Sequence, residues 1–580
     1  MWSARSALPQ PLRAPFEQVS EAVPALSFNR TLWYSRPVLS IALLLVLVAA
    51  ASIRLAPLRG DHFPVNDGGL FWVMIEDLRA NGFRLPAVTS YNGLGIPFAY
   101  PPLALYLAAF VATVLHVDSI EVVRLMPPII SILTALAVFP LARRLSGDAW
   151  IAVFAAGAFA VLPRAYIWMV MGGGVTRSLG FLFAILAVTQ LYDLYDTGGR
   201  RPLLLAALFS AGAVLSHMEG GWLVVYSSIA FWANGRRGLG GIRDTFILGG
   251  IGLVLTSPWW VTVISQHGLE PFKSALNSGE RFSVGLELLS KFAFSDTPGF
   301  DVIALFGLAG LFTAVRKRHL LLPSWMFLIF LMDPRAGSTY AMVPLAILAG
   351  IGFIDLARGT ATSGPPNELV NALAARRPRW LTEAIEALPP VSAPAAIGVL
   401  WLAASIAAPV ATREPLHILS IEDRDAMAWV RDFTPRDARF MVMTPAAGWW
   451  SDIQGEWFPA LAERQSVATP QGREWVPDDT FNKAVQRHLD ASWCGWFDTV
   501  CMRDWAETNS RPFDFVYVPI GSPVAFANEA VKAERSPVPD CCTSSFDSLL
   551  HSAGFRLRYR NDRVAIFEWM GEEPGSRLAF

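Results

Sequence analysis

A carboxylate follows the first long apolar run of the chain. The segment 62–78, HFPVNDGGLFWVMIEDL, places Asp67 between that run and a stretch with helical spacing of apolar residues. Capping is the simplest structural interpretation, because an Asp before a helix accepts backbone N–H bonds. The same carboxylate, at the point where a span leaves the lipid, could take a proton from a hydroxyl nucleophile as a general base. Asp67 is therefore the first candidate catalytic residue.

Two arginines are candidates for binding a phosphate. Arg335 lies in LMDPRAG, between two apolar runs, and Arg177 follows the glycines of MVMGGGVTR. A guanidinium offers phosphate two parallel N–H bonds, which lysine cannot, and charges near membrane depth are costly and tend to be functional. The alternative for Arg335 is an ion pair with Asp333 that only closes a helix end.

Three more ionisable side chains are candidates for an acceptor site or a metal site. His217 and Glu219 stand in LSHMEGGWL, where one apolar run gives way to the next, and His62 opens the segment that contains Asp67. With Asp67 they could bind a divalent cation, Mg²⁺ or Mn²⁺, so the cofactor is left open. The alternative for His217 and Glu219 is a polar turn with a hydrated histidine.

The segment 448–475, GWWSDIQGEWFPALAERQSVATPQGREW, is dense in tryptophan, glycine and acids. Aromatic faces with polar edges suit a carbohydrate, so Trp449, Trp450 and Glu456 are candidate contacts for an acceptor. The alternative is an aromatic core of a folded domain, which suits most of these tryptophans better.

The composition is that of a membrane protein. Of the 580 residues 53% are hydrophobic and 16% are charged, and the mean hydropathy is +0.39, whereas soluble domains carry nearer a quarter charged residues. The net charge of −1 gives no reason to expect a nucleic-acid partner. Four cysteines are too few for a disulfide scaffold.

Apolar runs of spanning length recur as far as residue 410. The first has no short cleavable signal before it and is interpreted as an uncleaved anchor. The sequence thus predicts a cytoplasmic segment 1–36 and a membrane domain 37–410, with an outer loop 58–120. The predicted spans are 37–57, 121–142, 149–163, 176–193, 202–217, 220–233, 244–264, 299–315, 319–332, 337–356 and 391–410.

The positive residues predict the orientation of these spans. Clusters of arginine and lysine mark cytoplasmic loops. If the apolar segment that begins YPPLALYL at residue 100 lies along the membrane surface and does not cross it, all of these clusters fall on the same side of the membrane as the N-terminus. The loop that contains Asp67, the polar residues described above and the C-terminal tail then lie outside the cytoplasm. The clusters are Arg143-Arg144, Arg200-Arg201, Arg236-Arg237, 316–319 and 375–379.

The tail 411–580 is long enough to form a domain. The segment DRDAMAWVRDFTPRDARFMVM predicts a helix that begins with acidic residues, then a turn marked by proline, then a strand. The segments FDFVYVPI and RVAIFEW have the β-branched and aromatic content of further strands. The sequence predicts an extracytoplasmic α/β domain. Outside the cell Cys494 and Cys501 could close a small disulfide loop, while the pairing of Cys541 and Cys542 is left open.

The layout resembles the GT-C superfamily of membrane glycosyltransferases. In those enzymes an acidic motif follows the first span, an amphipathic helix comes next, and a stretch such as YPPL leads a juxtamembrane helix. The matching segments here are 66–67, 70–81 and 100–103, and 123–145 is similar to the second span. The layout is also similar to protein O-mannosyltransferases, aminoarabinose transferases and oligosaccharyltransferases. Where many members have a second acid beside the first, this chain has Asn66.

The resemblance implies a fold and a reaction. The expected fold is an α-helical polytopic membrane protein of GT-C type, with about eleven transmembrane helices and a C-terminal α/β domain. The expected reaction moves a sugar from a polyprenyl-phosphate donor in the bilayer to a glycan, lipid or protein acceptor outside the cytoplasm. It proceeds with inversion at the anomeric carbon, and Asp67 is the general base.

Two other functions remain open at the sequence level. One is transfer of a whole glycan to protein, as in oligosaccharyltransferases. The other is a non-catalytic transporter or assembly protein. Transporters place ionisable groups near the bilayer midplane, often in inverted repeats. The candidate charges here gather at one face, which disfavours transport.

Overall fold

The structure, a computed structural model, describes residues 36–59, 61–277, 301–333, 335–357, 416–444, 448–477, 481–520 and 542–571. The predicted span 391–410 and the segment 1–35 lie outside them. The first part of the described chain is helical. Its helices are α1 Arg36–Leu55, α2 Gly69–Ala80, α3 Leu103–Leu115, α4 Ser119–Ser146, α5 Ala149–Val161, α6 Gly174–Asp196, α7 Arg200–Ser216, α8 Met218–Asn234, α9 Leu239–His267, α10 Glu270–Asn277, α11 Asp301–Arg316, α12 Leu321–Met332 and α13 Met342–Ala357.

Every predicted span within the described residues coincides with a helix. Five of the helical segments are long and apolar enough to cross a membrane: Pro37–Leu58, Ser119–Ser146, Gly174–Asp196, Leu239–His267 and Gly337–Asp355. Shorter apolar helices include Leu103–Leu115, Ala149–Val161 and Leu321–Met332. The prediction of a mostly helical membrane protein is confirmed at this level, and the count of eleven spans stays a prediction.

Local signals set the helix ends. Asp118 accepts a hydrogen bond from the backbone N–H of Ile120 at the start of α4, and Asp148 accepts one from Trp150 at the start of α5. Between these helices the chain turns at Gly147, whose φ of 73° is the left-handed conformation that glycine adopts without strain. The apolar helices then pack on one another around buried aromatic side chains such as Phe154, Phe159 and Trp325.

The tail forms an α/β domain, as predicted. Its elements are α14 Ile421–Phe433, β1 Arg439–Val442, α15 Ile453–Leu461, β2 Gln465–Ser466, α16 Phe481–Trp493, α17 Thr499–Thr508, β3 Phe515–Pro519, α18 Thr543–His551, β4 Phe555–Arg560 and β5 Val564–Trp569. They build a five-stranded sheet of order β2-β1-β3-β5-β4. The strands β2, β1 and β3 are parallel, and β5 is antiparallel to β3 and β4. Cys494 and Cys501 form the small disulfide loop that the sequence suggested.

One face of this sheet shares a hydrophobic core with the loop that follows α1. Side chains alternate along a strand, so Phe515 and Tyr517 face one layer, and Val516 and Val518 face the other. The first layer is continuous with apolar side chains of α2, α3 and the start of α4. The tail domain is therefore packed against the first loop over a common core.

Candidate active site

Asp67 caps a helix, but not the one that follows it. Helix α2 has Gly68 at its N-cap position, without a side-chain capping bond. The carboxylate instead reaches the start of α6, where Oδ1 accepts a hydrogen bond from the Gly173 N–H at 2.8 Å and Oδ2 pairs with Nη2 of Arg177. The N-terminus of a helix is a favourable place for a carboxylate, and the Gly173 N–H and Arg177 together fix the position of the Asp67 side chain.

A second set of polar contacts runs from the first loop to the 333–337 turn. The Tyr100 hydroxyl lies 2.8 Å from Nδ1 of His217, and Nε2 of His217 lies 3.2 Å from Oε2 of Glu219. The other oxygen of Glu219 lies 3.3 Å from Nε of Arg335. His217 has extended backbone between α7 and α8, which lets its ring approach Glu219 two residues later. His217 is buried, so it is not the hydrated histidine of the alternative interpretation.

The two sets of contacts meet on the first turn of α6. Thr176 Oγ1 lies 3.5 Å from both the Tyr100 hydroxyl and Nδ1 of His217, and Arg177 is the next residue. The structure thus brings Asp67, Arg177, His217, Glu219 and Arg335 into one polar region between the membrane helices and the tail domain.

The turn that carries Arg335 is fixed by Asp333. One carboxylate oxygen of Asp333 accepts from the Ala336 N–H at 2.9 Å, and the other accepts from the Tyr226 hydroxyl at 3.3 Å. Nε1 of Trp222 donates to the Met332 carbonyl at 2.8 Å, which ties the same turn to α8. Arg335 contacts Glu219, and its side chain is 48% exposed, so the guanidinium is accessible.

The tail domain contributes carboxylates to this region. Glu456 is buried, and its Oε1 accepts a hydrogen bond from the Gly68 N–H at 2.8 Å. Burial and the negative charge of Asp67 raise the pKa of Glu456 to about 8. Burial also raises the pKa of Glu474, and the positive charge of Arg335 acts in the opposite direction. Glu456 thus contacts the backbone of the loop beside Asp67, and its role as an acceptor contact stays a prediction.

The other predicted tail residues lie apart from these contacts. Trp449 packs edge-on against Phe481, with ring centroids 5.1 Å apart, and Trp450 is half-exposed. His62 is also outside the polar region as far as its described contacts go. Its Nδ1 lies 3.3 Å from Glu121 and 3.5 Å from Arg124, both on α4, and its side chain is 86% exposed.

Three residues in the polar region were not predicted as site residues: Tyr100, Thr176 and Glu474. Tyr100 was noticed only as part of the YPPL stretch, and neither Thr176 nor Glu474 has a local sequence signal that distinguishes it. Among the described residues, no three His, Cys, Asp or Glu side chains form a group suited to a metal ion. A divalent cation therefore stays an untested alternative.

The chain is similar to known membrane glycosyltransferases in its fold and over part of its sequence. Residues 99–261, from the first loop to α9, match the family model described as dolichyl-phosphate-mannose-protein mannosyltransferase. The apo oligosaccharyltransferase of Archaeoglobus fulgidus aligns with 84% of this chain and 70% of its own, at a TM-score of 0.51 and 14% identity. Arabinofuranosyltransferase AftD from Mycobacteria aligns at a TM-score of 0.53 and 14% identity, over 93% of this chain and 40% of its own.

The search among curated proteins found no match. At these identities the solved structures show a common fold, and the family match covers part of the membrane domain. Together they show that the chain has the fold of the GT-C membrane glycosyltransferases and that residues 99–261 match one of their families, as the layout of the sequence predicted. This disfavours the alternative of a transporter or a non-catalytic assembly protein.

Proposed function

We propose that the protein transfers a sugar from a polyprenyl-phosphate donor to an acceptor outside the cytoplasm, with inversion and with Asp67 as the general base. The observation that carries the proposal is the position of Asp67. It lies shortly after the end of α1, held by the start of α6 and Arg177, in one polar region with His217, Glu219 and Arg335. A lipid-linked donor and a water-soluble acceptor can meet where the membrane borders the aqueous phase.

The contacts of Asp67 suit a proton acceptor. An ionised carboxylate has about four lone-pair sites, and the described contacts with Gly173 and Arg177 use two of them. An acceptor hydroxyl bound there would give its proton to Asp67 as its oxygen attacks the anomeric carbon. The phosphate leaves with its negative charge and needs no general acid. A positioned base of this kind contributes about 10²–10⁴-fold to a rate.

Arg335 is the proposed contact for the leaving phosphate. Its accessible guanidinium is oriented by Glu219, while the turn beneath it is fixed through Asp333. Arginine stabilises charge that develops on phosphate oxygens as the bond to the sugar breaks. Arg177, paired with Asp67, is the second cation near the reacting groups.

The acceptor is proposed to bind between the membrane helices and the tail domain. His217 and Glu219 line this region from the membrane domain, and Glu474 faces it from the tail. Trp450, which is half-exposed, stays a proposed contact for the acceptor. Transfer of a whole glycan to protein remains the alternative reaction, and a labelling experiment separates the two.

The proposed orientation places this region outside the cytoplasm. The loops that the positive-inside rule assigned to that side are the ones the structure brings together with the tail domain. Some members of the described arginine and lysine clusters pair with acids elsewhere, as in Arg144 with Asp193 and Lys317 with Asp355. The Cys494–Cys501 disulfide suits an oxidising compartment.

The proposal is tested by Asp67→Asn in the purified protein. Asparagine keeps the size of the side chain and removes the base, so turnover of a radiolabelled polyprenyl-phosphate sugar is expected to fall by about 10²–10⁴-fold. The acceptor is the cell-envelope fraction of the source organism, separated after reaction into lipid, protein and polysaccharide. The fraction that carries the label identifies the class of acceptor. A parallel reaction with a chelator shows whether transfer needs a metal ion.

The matched control is Asp193→Asn. Asp193 lies on α6, the helix that carries Arg177, and pairs with an arginine, Arg144, at 2.9 Å near the opposite end of that helix. Its turnover is expected to stay within about threefold of the unmodified protein. Full activity of Asp67→Asn, or a product that keeps the anomeric configuration of the donor, would overturn the proposed mechanism.

A further inference from the structure

The backbone on both sides of Asp67 is held by one helix of the tail domain. Glu456 on α15 accepts a hydrogen bond from the N–H of Gly68, directly after Asp67. The next residue of α15, Trp457, donates from Nε1 to the carbonyl of Asn66, directly before Asp67, at 2.7 Å. Both side chains are buried. The reacting carboxylate therefore stands between two peptide groups whose positions α15 determines.

Asn66 is held from a second place in the tail. Its N–H donates to the His417 carbonyl at 2.7 Å, and its side-chain oxygen accepts from the His417 N–H at 2.8 Å. The φ of Asn66 is 53°, a left-handed conformation that costs free energy unless the surroundings hold it. A pair of hydrogen bonds to one residue provides that support.

We propose that docking of the tail domain sets the position of Asp67, and that Glu456 and Trp457 on α15 are the positioning residues. This inference rests on the proposed function, because it assigns Asp67 the reacting role. A shift of about 1 Å in a catalytic group can cost about 100-fold in rate. The tail domain is then a required part of the catalytic unit, beyond any part it has in binding the acceptor.

The charges around Glu456 make its contact sensitive to pH. Asp67 and Arg177 act on the Glu456 carboxyl from the membrane domain, and Asp452 acts on it from the start of α15. The Tyr91 hydroxyl donates a hydrogen bond to the backbone carbonyl of Glu456 at 2.7 Å. Because burial and Asp67 raise the pKa of Glu456 to about 8, this carboxyl is neutral at pH 7. At higher pH it gains a negative charge that repels Asp67 and competes for Arg177.

The sign of the stability effect follows from the same pKa. An unfolded Glu ionises near pH 4.5, the ordinary value, and the folded one near 8. Between these values the native state holds a proton that the unfolded state has released. The contribution of Glu456 to the stability of the folded protein is therefore most favourable below about pH 4.5 and decreases as the pH rises toward 8.

Three variants of the full-length protein test the inference. Glu456→Gln keeps an oxygen for the Gly68 N–H and removes the charge, so it is expected to match the unmodified protein at pH 6.5 and to keep its turnover at pH 9, where the unmodified protein loses it. Glu456→Ala removes the acceptor and is expected to lower kcat at least tenfold at pH 6.5, with the donor KM unchanged. Trp457→Phe is expected to lower kcat in the same way.

Hydrogen–deuterium exchange gives a readout that needs no substrate. Amides of residues 66–72 are expected to exchange at least tenfold faster in Glu456→Ala, because the Gly68 N–H has lost its partner. The matched control is Asp423→Asn, a buried tail carboxyl that accepts from the Tyr517 hydroxyl at 2.8 Å and also has a raised pKa. It is expected to change the melting temperature without changing exchange at 66–72 or the shape of the pH profile.

The outcomes separate this inference from the proposed function. Unchanged exchange and unchanged kcat in Glu456→Ala would overturn it, and so would a loss of turnover at pH 9 in Glu456→Gln equal to that of the unmodified protein. Absence of sugar transfer by the unmodified protein would instead overturn the proposed function, while the exchange experiment would still report whether α15 holds the loop. If Glu456→Ala does not fold, the turnover of Glu456→Gln and of Trp457→Phe still tests whether α15 positions Asp67.

Discussion

At the scale of single residues, the sequence located the charges but not their partners. Asp67 and Arg335 could be singled out because each is an ionisable residue at the edge of an apolar run. Their partners, Arg177 and Glu219, lie more than 100 residues away along the chain. Spacing within a motif defines only local geometry, so neither pairing could be derived from it. Asp67 was in fact considered as a cap for its own helix, whereas it caps the start of α6.

Arg335→Lys tests the phosphate contact at this scale. Lysine keeps the charge but offers a point donor in place of the planar fork, so we expect the KM for the polyprenyl-phosphate donor to rise about tenfold, with a smaller effect on the KM for the acceptor. The measurement is initial rate against donor concentration at saturating acceptor.

The chain offers a closely matched control for that substitution. Arg558 in the tail domain is similarly exposed and lies 3.6 Å from Glu568. We expect Arg558→Lys to leave both KM values unchanged, because an exposed pair of this kind contributes little. Equal effects of the two substitutions on the donor KM would remove Arg335 from the phosphate site.

At the scale of elements, the helix positions were predictable and the contact between α2 and α15 was not. Apolar runs of sufficient length define spanning helices almost without reference to the rest of the chain. The contact between α2 and α15 joins segments separated by almost 400 residues and depends on a glycine. Gly69 begins α2 directly against the backbone of α15. In the sequence, that glycine looks like any other at a helix start.

Gly69→Ala tests this close approach. A methyl group there would lie 2.8 Å from the Glu456 carbonyl oxygen and 3.3 Å from the Trp457 Cα, and backbone atoms cannot rotate away as a flexible side chain could. We expect a loss of about 1–3 kcal/mol in stability from overpacking, together with reduced turnover because α2 and the Asp67 loop shift. Thermal unfolding of the purified protein and the transfer assay measure the two effects.

Gly249→Ala is the comparison for that experiment. Gly249 lies within α9, and a methyl group added there meets nothing within 4 Å. Its unfolding temperature should be unchanged or slightly higher, since alanine favours a helix over glycine. If Gly69→Ala were as stable and active as Gly249→Ala, the contact between α2 and α15 would have to be looser than the structure shows.

At the scale of the whole molecule, the first loop and the tail domain behave as one unit on the membrane domain. The sequence divided the chain at residue 411 because composition changes there, and composition cannot show that two segments share a core. In the structure Phe63, Phe71, Trp457 and Phe515 belong to one hydrophobic cluster. The division by composition therefore does not reveal the unit that holds Asp67.

The sidedness of this unit is the last prediction. The tail domain and the Asp67 loop lie together, and the arginine doublet 236–237 pairs with Asp196 and Asp244 at the opposite helix ends. The positive-inside rule predicts that the doublet is cytoplasmic and therefore that the tail domain lies on the other side of the membrane. Alkaline phosphatase folds only outside the cytoplasm. Fused after residue 580 it should be active in intact cells, and fused after residue 238 it should be inactive. The reverse pattern would place Asp67 on the cytoplasmic face and exclude transfer to an external acceptor.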